Sequence, residues 1–197
     1  MRVLVACERS GVVRDAFIAQ GHDAVSCDLV PSSSPGPHVV GDVTRLLEQP
    51  WDLLIAHPPC TYLANSGIQH LKDPARWGLL DDGAEFFRKF LHAEHTPLRA
   101  IENPIPHRHA VQRIGRKYDQ IVHPWQHGHM EQKATCLWLA GLPLLQPTHD
   151  VREAMMLLPI KQRQPLWWAS PGPGRAEFRS RTYGGIASAM AKQWGRC

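Results

Sequence analysis

The sequence has few features that place a protein in a membrane or outside the cell. No apolar stretch approaches the roughly 18 residues that a membrane-spanning helix needs. The first residues, MRVLVAC, run straight into a strand-like segment without the apolar region of a signal peptide. We therefore expect a soluble cytoplasmic protein without a membrane partner.

Paired cysteines are also lacking. The five cysteines are odd in number and widely spread, and none forms a CxxC pair or a spacing typical of zinc ligands. His123, His127 and His129 show no firm metal-binding spacing either. These absences argue against a disulfide framework and against a metal site.

Strong charge of either sign is missing too. The net charge is +4, and 20% of the residues are charged against 43% hydrophobic, which is a globular balance and not that of a disordered chain. A mildly basic protein is compatible with a polyanionic partner without requiring one. A chain of 197 residues suits one domain with a single core, so we expect one domain over 1–197.

Strand and helix signals alternate along the chain. Short apolar runs at Arg2–Cys7, Ala24–Asp28 and Trp51–Ala56 enclose a helix pattern at Val12–Gln20 and a loop rich in Ser, Pro and Gly at Ser32–Pro37. This rhythm predicts an α/β fold with a Rossmann-like, mostly parallel sheet flanked by helices, and with functional loops at the carboxyl ends of the strands. The same patterns predict strands at Leu98–Glu102 and Thr135–Ala140, helices at Val43–Gln49, Pro74–Ala93, Ile105–Lys117 and Gly185–Trp194, and an irregular segment at 143–181.

A complete GxGxxG fingerprint is absent, and only Ser10-Gly11 stands in the first strand-to-helix turn. Asp28 ends the second predicted strand. Its distance along the chain from the first strand-to-helix turn is close to the spacing at which Rossmann-like folds place an acid against a ribose. This combination favours a cofactor that has a ribose but no pyrophosphate. Asp42 follows the next strand and has two interpretations: it could bind an adenine amino group, or it could cap the following helix.

Cys60 follows an apolar strand and the rigid pair Pro58-Pro59, while Glu102-Asn103 follows another strand. An isolated cysteine is often an inert core residue. Here, however, thiol and carboxylate at neighbouring strand ends match covalent attack on a pyrimidine, in which the thiolate adds to C6 and the acid engages N3. For that role we expect Glu102 to have a raised pKa.

The segments Pro58–Cys60 and Glu102–Pro104 resemble the PPC and ENV motifs of the cytosine-C5 DNA methyltransferases, in the family's order. The chain is also similar to small bacteriophage proteins that are labelled DNA methyltransferases, which would place it in an infected bacterium. The resemblance implies a class I methyltransferase fold, S-adenosylmethionine as cofactor, and Cys60 as nucleophile with Glu102 and Asn103 in support. It implies cofactor contacts from Cys7, Glu8, Ser10, Gly11, Asp28, Leu29, Asp42, Val43 and Pro58.

The second half of the chain departs from the family. Gln132 stands where the family has its glutamine–arginine motif, but Ala134 and Cys136 replace the arginines that follow. Lys133, Arg179 and Arg181 remain as candidates for the base-contacting cation. The implied substrate contacts are therefore Pro59, Thr61, Gln132, Lys133, Arg179 and Arg181.

Only about forty residues separate Gly141 from Arg181, where the family inserts a target-recognition domain. The segment is too short for such a domain, although Trp167, Trp168 and Arg175 could contact DNA or a base. A basic cluster after Glu102 is either a solvated face or a phosphate site. Its members are His107, Arg108, His109, Arg113, Arg116 and Lys117.

Three hypotheses for the function follow from these residues and from the resemblance. The first is methyl transfer to C5 of cytosine in DNA. The second is the same chemistry on a free cytosine nucleotide, or transfer of a modified methyl group, because the recognition domain is missing. The third is a non-catalytic protein that binds the cofactor or a nucleic acid. The family's first motif has an aromatic residue and more glycines than Ala6–Gly11, which favours this third function, whereas the pair Cys60 and Glu102 argues against it.

Overall fold

The computed structural model describes residues 1–170, 172, 174, 178 and 182–197. Their strands form one sheet. The strands are β1 (Arg2–Ala6), β2 (Asp23–Asp28), β3 (His38–Val40), β4 (Leu53–Ala56), β5 (Leu98–Pro104), β6 (Gln120–Val122) and β7 (Thr135–Ala140).

The strand order in the sheet is β3-β2-β1-β4-β5-β7-β6. β1 to β5 run parallel to one another, and β7 is antiparallel to both β5 and β6. Because β7 reverses between them, β6 runs in the same direction as β5. The predicted Rossmann-like, mostly parallel sheet flanked by helices is confirmed.

The α-helices are α1 (Val12–Ile18), α2 (Trp77–Leu91), α3 (Arg108–Ile114), α4 (Arg152–Met156), α5 (Ile160–Arg163) and α6 (Gly184–Trp194). Helices cover both faces of the sheet, which is why β1 and β4 are almost continuously apolar. One core contains side chains of α2 and α3 together with Leu54 and Trp138. The other contains side chains of α1 and α6 together with Leu53 and Leu137.

The structure differs from the sequence prediction in three places. The helix predicted at Val43–Gln49 is only a 3-10 turn at Val43–Arg45. The segment predicted to be irregular contains the short helices α4 and α5. The strand β6 was not predicted, since three residues are too few to show a period of two. No helix among the described residues has the length and apolarity to cross a membrane.

Candidate functional site

Parallel pairing brings most predicted site residues to one edge of the sheet, which we call the carboxyl edge. It comprises the carboxyl ends of β1 to β6 and the start of β7. The strand order reverses between β1 and β4, and such a switch point is where open α/β sheets bind ligands. Cys7, Asp28 and Asp42 lie on one side of this point, and Glu102 on the other.

The loop that carries Cys60 is tied to the loop after β5. The Asn103 amide donates a hydrogen bond of 2.9 Å to the Pro58 carbonyl, and Asn65 N donates one of 2.8 Å to Ile105 O. His107 is buried, and its ring lies 2.7 Å from the Tyr62 carbonyl. These contacts connect Pro58–Cys60 to Glu102–Pro104 across the parallel pair β4–β5. Asn103 thus holds the start of the Cys60 loop against the end of β5.

Cys60 is half-buried and opens a turn in which its carbonyl accepts hydrogen bonds from Leu63 N and Ala64 N. Pro58 is buried, whereas Pro59 and Thr61 are exposed beside it. The structure describes all five cysteines, and no disulfide links them.

Three cysteines are kept as neutral thiols by their surroundings: Cys7 after β1, Cys27 in β2 and Cys136 in β7. Burial, and then the charges of Asp28, Cys27 and Asp42, raise the pKa of Cys7 to about 12. Burial, followed by the charge of Glu102, raises the pKa of Cys136 to about 12 as well. Burial also raises the pKa of Cys27. None of these three thiols is suited to act as a nucleophile at neutral pH.

Glu102 is paired with a residue that the sequence analysis did not select. Its carboxylate lies 3.0 Å from Nδ1 of His57, and both side chains are largely buried. Burial alone would raise the pKa of Glu102, but the hydrogen bond and charge of His57, with Lys133 and Thr135, lower it below the ordinary value. The raised pKa expected for Glu102 is therefore wrong, because the sequence did not reveal its imidazole partner.

A cavity of about 30 Å³ adjoins the pair, with space for one or two waters. Its walls include Lys133 and Thr135 from the approach to β7, and Tyr183 and Ile186 from the start of α6. Of the three candidate cations, Lys133 therefore adjoins Glu102. Arg179 and Arg181 lie outside the described residues, as does Arg175.

Gln132 faces away from this cavity. Its side-chain oxygen accepts a hydrogen bond of 2.7 Å from Gln164, and its amide nitrogen lies 3.8 Å from the Met156 sulfur. It lines a second, larger cleft on the β6 side. The structure thus does not bring Gln132 together with Glu102.

The candidate cofactor residues fall into two groups, and the first is accessible. Asp28 is partly exposed at the end of β2, where one carboxylate oxygen accepts a hydrogen bond from Val30 N, and the neighbouring Leu29 is 76% exposed. Asp42 is exposed and accepts a hydrogen bond of 2.9 Å from Thr44 N. Asp42 therefore caps the 3-10 turn, as its alternative interpretation held.

The second group is engaged within the protein. The Glu8 carboxylate is buried and accepts hydrogen bonds from Val13 N, Arg14 N and the Ser10 hydroxyl at the start of α1. Val43 is buried in the core beneath α2. Because these groups are already bonded or buried, Glu8, Ser10 and Val43 hold the site rather than offer free groups to a ligand. Gly11 has a φ of 74°, which favours glycine, and starts α1.

Arg14 is the second important residue that the sequence analysis missed. Its guanidinium is fully buried and donates hydrogen bonds to the Ser34 hydroxyl at 2.8 Å and the Pro35 carbonyl at 2.8 Å. It also bonds Asp15 at 2.8 Å. Arg14 therefore holds the loop at 31–37 against the first strand-to-helix turn.

The basic cluster is largely paired within the protein. Arg113 bonds Asp81 and lies over the Trp77 ring at 5.1 Å, and Arg116 bonds both oxygens of Asp119. His107 caps α3 by accepting a hydrogen bond from Ala110 N. Arg108 and Lys117 are exposed. These pairings favour the solvated-face interpretation for the arginines of α3 and the turn after it.

No cluster of three or more metal-ligating side chains occurs among the described residues. No protein-family model matches the chain, and no curated protein matches it either.

Proposed function

We propose that the chain transfers a methyl group from S-adenosylmethionine to C5 of cytosine, in DNA, through a covalent adduct with Cys60. The observation that carries the proposal is the linkage at the carboxyl edge between the loop with Cys60 and the end of β5, which contains Glu102. The Asn103–Pro58 hydrogen bond joins them beside the switch point. Nucleophile and acid then lie where an α/β sheet binds its ligands.

The residues on the β1–β3 side suit this cofactor. Asp28 offers a partly exposed carboxylate for ribose hydroxyls, and the exposed Leu29 offers an apolar surface for a purine ring. The first turn has no row of free amide groups for a pyrophosphate, because the Glu8 carboxylate occupies the amides at the start of α1. When bound, S-adenosylmethionine supplies an electrophilic methyl group.

In the proposed reaction, the Cys60 thiolate adds to C6 of cytosine and the electron pair of the C5–C6 double bond moves toward C5. C5 would take the methyl group as the methyl–sulfur bond of S-adenosylmethionine breaks, which leaves S-adenosylhomocysteine. Loss of the C5 proton to water, with elimination of the thiolate, would then restore the double bond. In a duplex, the base must first leave the stack.

The pair His57 and Glu102 would balance charge on the ring. Glu102 has a lowered pKa and accepts a hydrogen bond from His57, so the proton available to N3 is the one shared within this pair. Lys133 lines the same cavity and would face the base oxygen. Because the cavity holds only about 30 Å³, its walls at Lys133 and Tyr183 must separate when a pyrimidine enters.

Radioactive cofactor tests the proposal directly. The protein is incubated with methyl-tritiated S-adenosylmethionine and either cytosine-containing DNA or dCMP, and the products are digested and separated. We expect label in 5-methylcytosine from DNA. Label only in 5-methyl-dCMP would favour the free-nucleotide reaction. Absence of label from both, with calorimetry showing cofactor binding, would favour a non-catalytic binding protein.

A further inference from the structure

The second cleft at the carboxyl edge is larger than the cavity beside Glu102. It measures about 390 Å³, within the range of sites that bind small molecules. Met155 and Met156 of α4 provide an apolar part, and the polar part comes from Arg152 of the same helix and from the segments that contain His123 and Gln132. The complete lining is His123, Trp125, Gln132, Ala134, Arg152, Met155 and Met156.

Flat groups are layered in this cleft. The His123 ring stacks on Trp125 with centroids 5.2 Å apart and an angle of 19° between the planes. The guanidinium carbon of Arg152 lies 5.3 Å from the centre of the same tryptophan ring. Arg152 is exposed, so its free face can receive a further planar group and its N–H groups can receive a phosphate.

The cleft and the Glu102 cavity lie on opposite sides of one short segment. Lys133 and Thr135 line the cavity, whereas Gln132 and Ala134, which alternate with them, line the cleft. Both sites lie at the carboxyl edge, because His123 follows the end of β6 and Thr135 begins β7. The two sites therefore share no lining residue, and a base in the cleft leaves the Glu102 cavity unoccupied.

We propose that this aromatic cleft binds a second, unpaired nucleobase of the substrate strand, with Arg152 on an adjacent phosphate. The inference rests on the proposed function for the identity of the reacting base. It selects a polynucleotide substrate, because a free nucleotide has no second base to place there. Farther along 144–170, the Lys161 ammonium lies 5.3 Å from the centre of the Trp168 ring, which is a second pair of a cation with an aromatic ring.

The test measures binding of the full chain to a fluorescent single-stranded oligonucleotide with one cytosine, and to dCMP. Trp125→Ala and Arg152→Ala should each weaken oligonucleotide binding by roughly 5- to 100-fold, the usual loss for a stacked base. Arg152→Ala should also reduce the slope of log affinity against log salt by about 0.7. Binding of dCMP should be unchanged. Arg45→Ala, which removes an exposed arginine after β3, is the matched control.

Thermal melting keeps the result interpretable, since Trp125 is partly buried while Arg152 lies on the surface. Oligonucleotide affinity equal to wild type in a folded Arg152→Ala protein, or a loss matched by Arg45→Ala, overturns the inference.

An oligonucleotide with 5-fluorocytosine separates this inference from the reaction itself. If wild type forms an adduct on Cys60 and both cleft variants bind the oligonucleotide as tightly as wild type, the reaction is supported and base binding in the cleft is refuted. If the variants bind the oligonucleotide more weakly and wild type forms no adduct, base binding in the cleft is supported and the result counts against the methyl-transfer proposal.

Discussion

The two halves of the carboxyl edge differ in charge and in how their side chains are held. On the β3-β2-β1 side, the ends of β2 and β3 carry carboxylates, the partly exposed Asp28 and the exposed Asp42, with the exposed Arg9 and Arg45 farther along the loops. The first turn on that side is bonded internally, through Glu8 to α1 and through Arg14 to the loop at 31–37. On the β5-β7-β6 side, the edge carries Lys133, Arg152 and aromatic rings around open space.

Under the proposed function, this difference matches the two halves to different ligands. Carboxylates accept hydrogen bonds from hydroxyl and amino groups, such as those of a nucleoside, and repel phosphates. Cations and aromatic rings attract phosphates and stack on bases. Cys60 follows β4, between the two halves, which is the position required of a group that reacts where the two ligands meet.

The largest expected effect comes from a substitution of Cys60, between the two halves. Cys60→Ser should lower methyl transfer by roughly 1,000-fold or more, as loss of a nucleophile does in other enzymes. Cofactor binding should persist, because its proposed contacts lie on the β1–β3 side. Intact-mass spectrometry with a 5-fluorocytosine substrate should detect an adduct on wild type and none on Cys60→Ser.

Cys136→Ser is the matched control for this substitution. Cys136 is buried in β7 and has a pKa of about 12, so its variant should still form the adduct. An adduct that persists in Cys60→Ser would assign the nucleophile to another residue.

The next largest effect concerns the β3-β2-β1 side, whose first turn is bonded internally. Arg14→Ala should lower the free energy of unfolding by about 2–5 kcal/mol, because truncation of a fully buried side chain leaves a cavity and removes the hydrogen bonds of the guanidinium to Ser34 and Pro35. Urea unfolding measures the loss. Arg45→Ala, on the surface, should stay within about 0.5 kcal/mol of wild type. A similarly small change in Arg14→Ala would show that the loop at 31–37 does not depend on this guanidinium.

A smaller effect separates the two carboxylates. Asp28→Asn should weaken S-adenosylmethionine binding by about 1.5–3 kcal/mol, the value of a hydrogen bond to a charged group. Asp42→Asn should change affinity less, because Asp42 is more exposed than Asp28 and is held by Thr44 N at 2.9 Å, whereas Val30 N lies 3.3 Å from Asp28. Calorimetry on both variants decides between them. A larger loss in Asp42→Asn would reverse their proposed roles.

Much of this edge was predictable from local patterns. The strands β1, β2, β4, β5 and β7 are apolar runs bounded by polar or breaker residues, so their carboxyl-end residues could be named. Parallel pairing of β4 with β5 then places Cys60 and Glu102 at neighbouring strand ends. The capping role of Asp42 was one of two interpretations, since a carboxylate before a helical segment has that local signature.

The residues that were missed depend on contacts between distant segments. His57 and Glu102 are 45 residues apart and meet because Ala56 pairs with Ile101, a register that neither segment encodes alone. Arg14 lies on a short helix where a charged residue predicts solvent exposure, and it is buried only because the loop at 31–37 folds over it. The proximity of Lys133 to Glu102 requires the antiparallel insertion of β7 beside β5.

The smallest expected effect tests the pairing of His57 with Glu102 through its pH dependence. Burial alone lowers the pKa of His57, but the hydrogen bond and charge of Glu102 outweigh it, with help from Glu8 and against Lys133, and raise the pKa above its ordinary value. A raised pKa stabilises the folded state fully below the unfolded pKa of about 6.5. That stabilisation is lost as pH rises through the folded pKa.

His57→Gln keeps a hydrogen-bond donor but removes this titration. The free energy of unfolding of wild type minus that of His57→Gln should therefore fall as pH rises above about 6.5, by about 1.4 kcal/mol for each unit by which the pKa is raised. Urea unfolding at pH values from about 5.5 to 9 measures the difference, and taking the difference cancels the titration of the other histidines. His92→Gln, at an exposed histidine after α2, is the matched control. A flat difference curve for His57→Gln would mean that His57 is neutral beside Glu102, and the proton proposed for N3 would then have to come from Lys133 or from solvent.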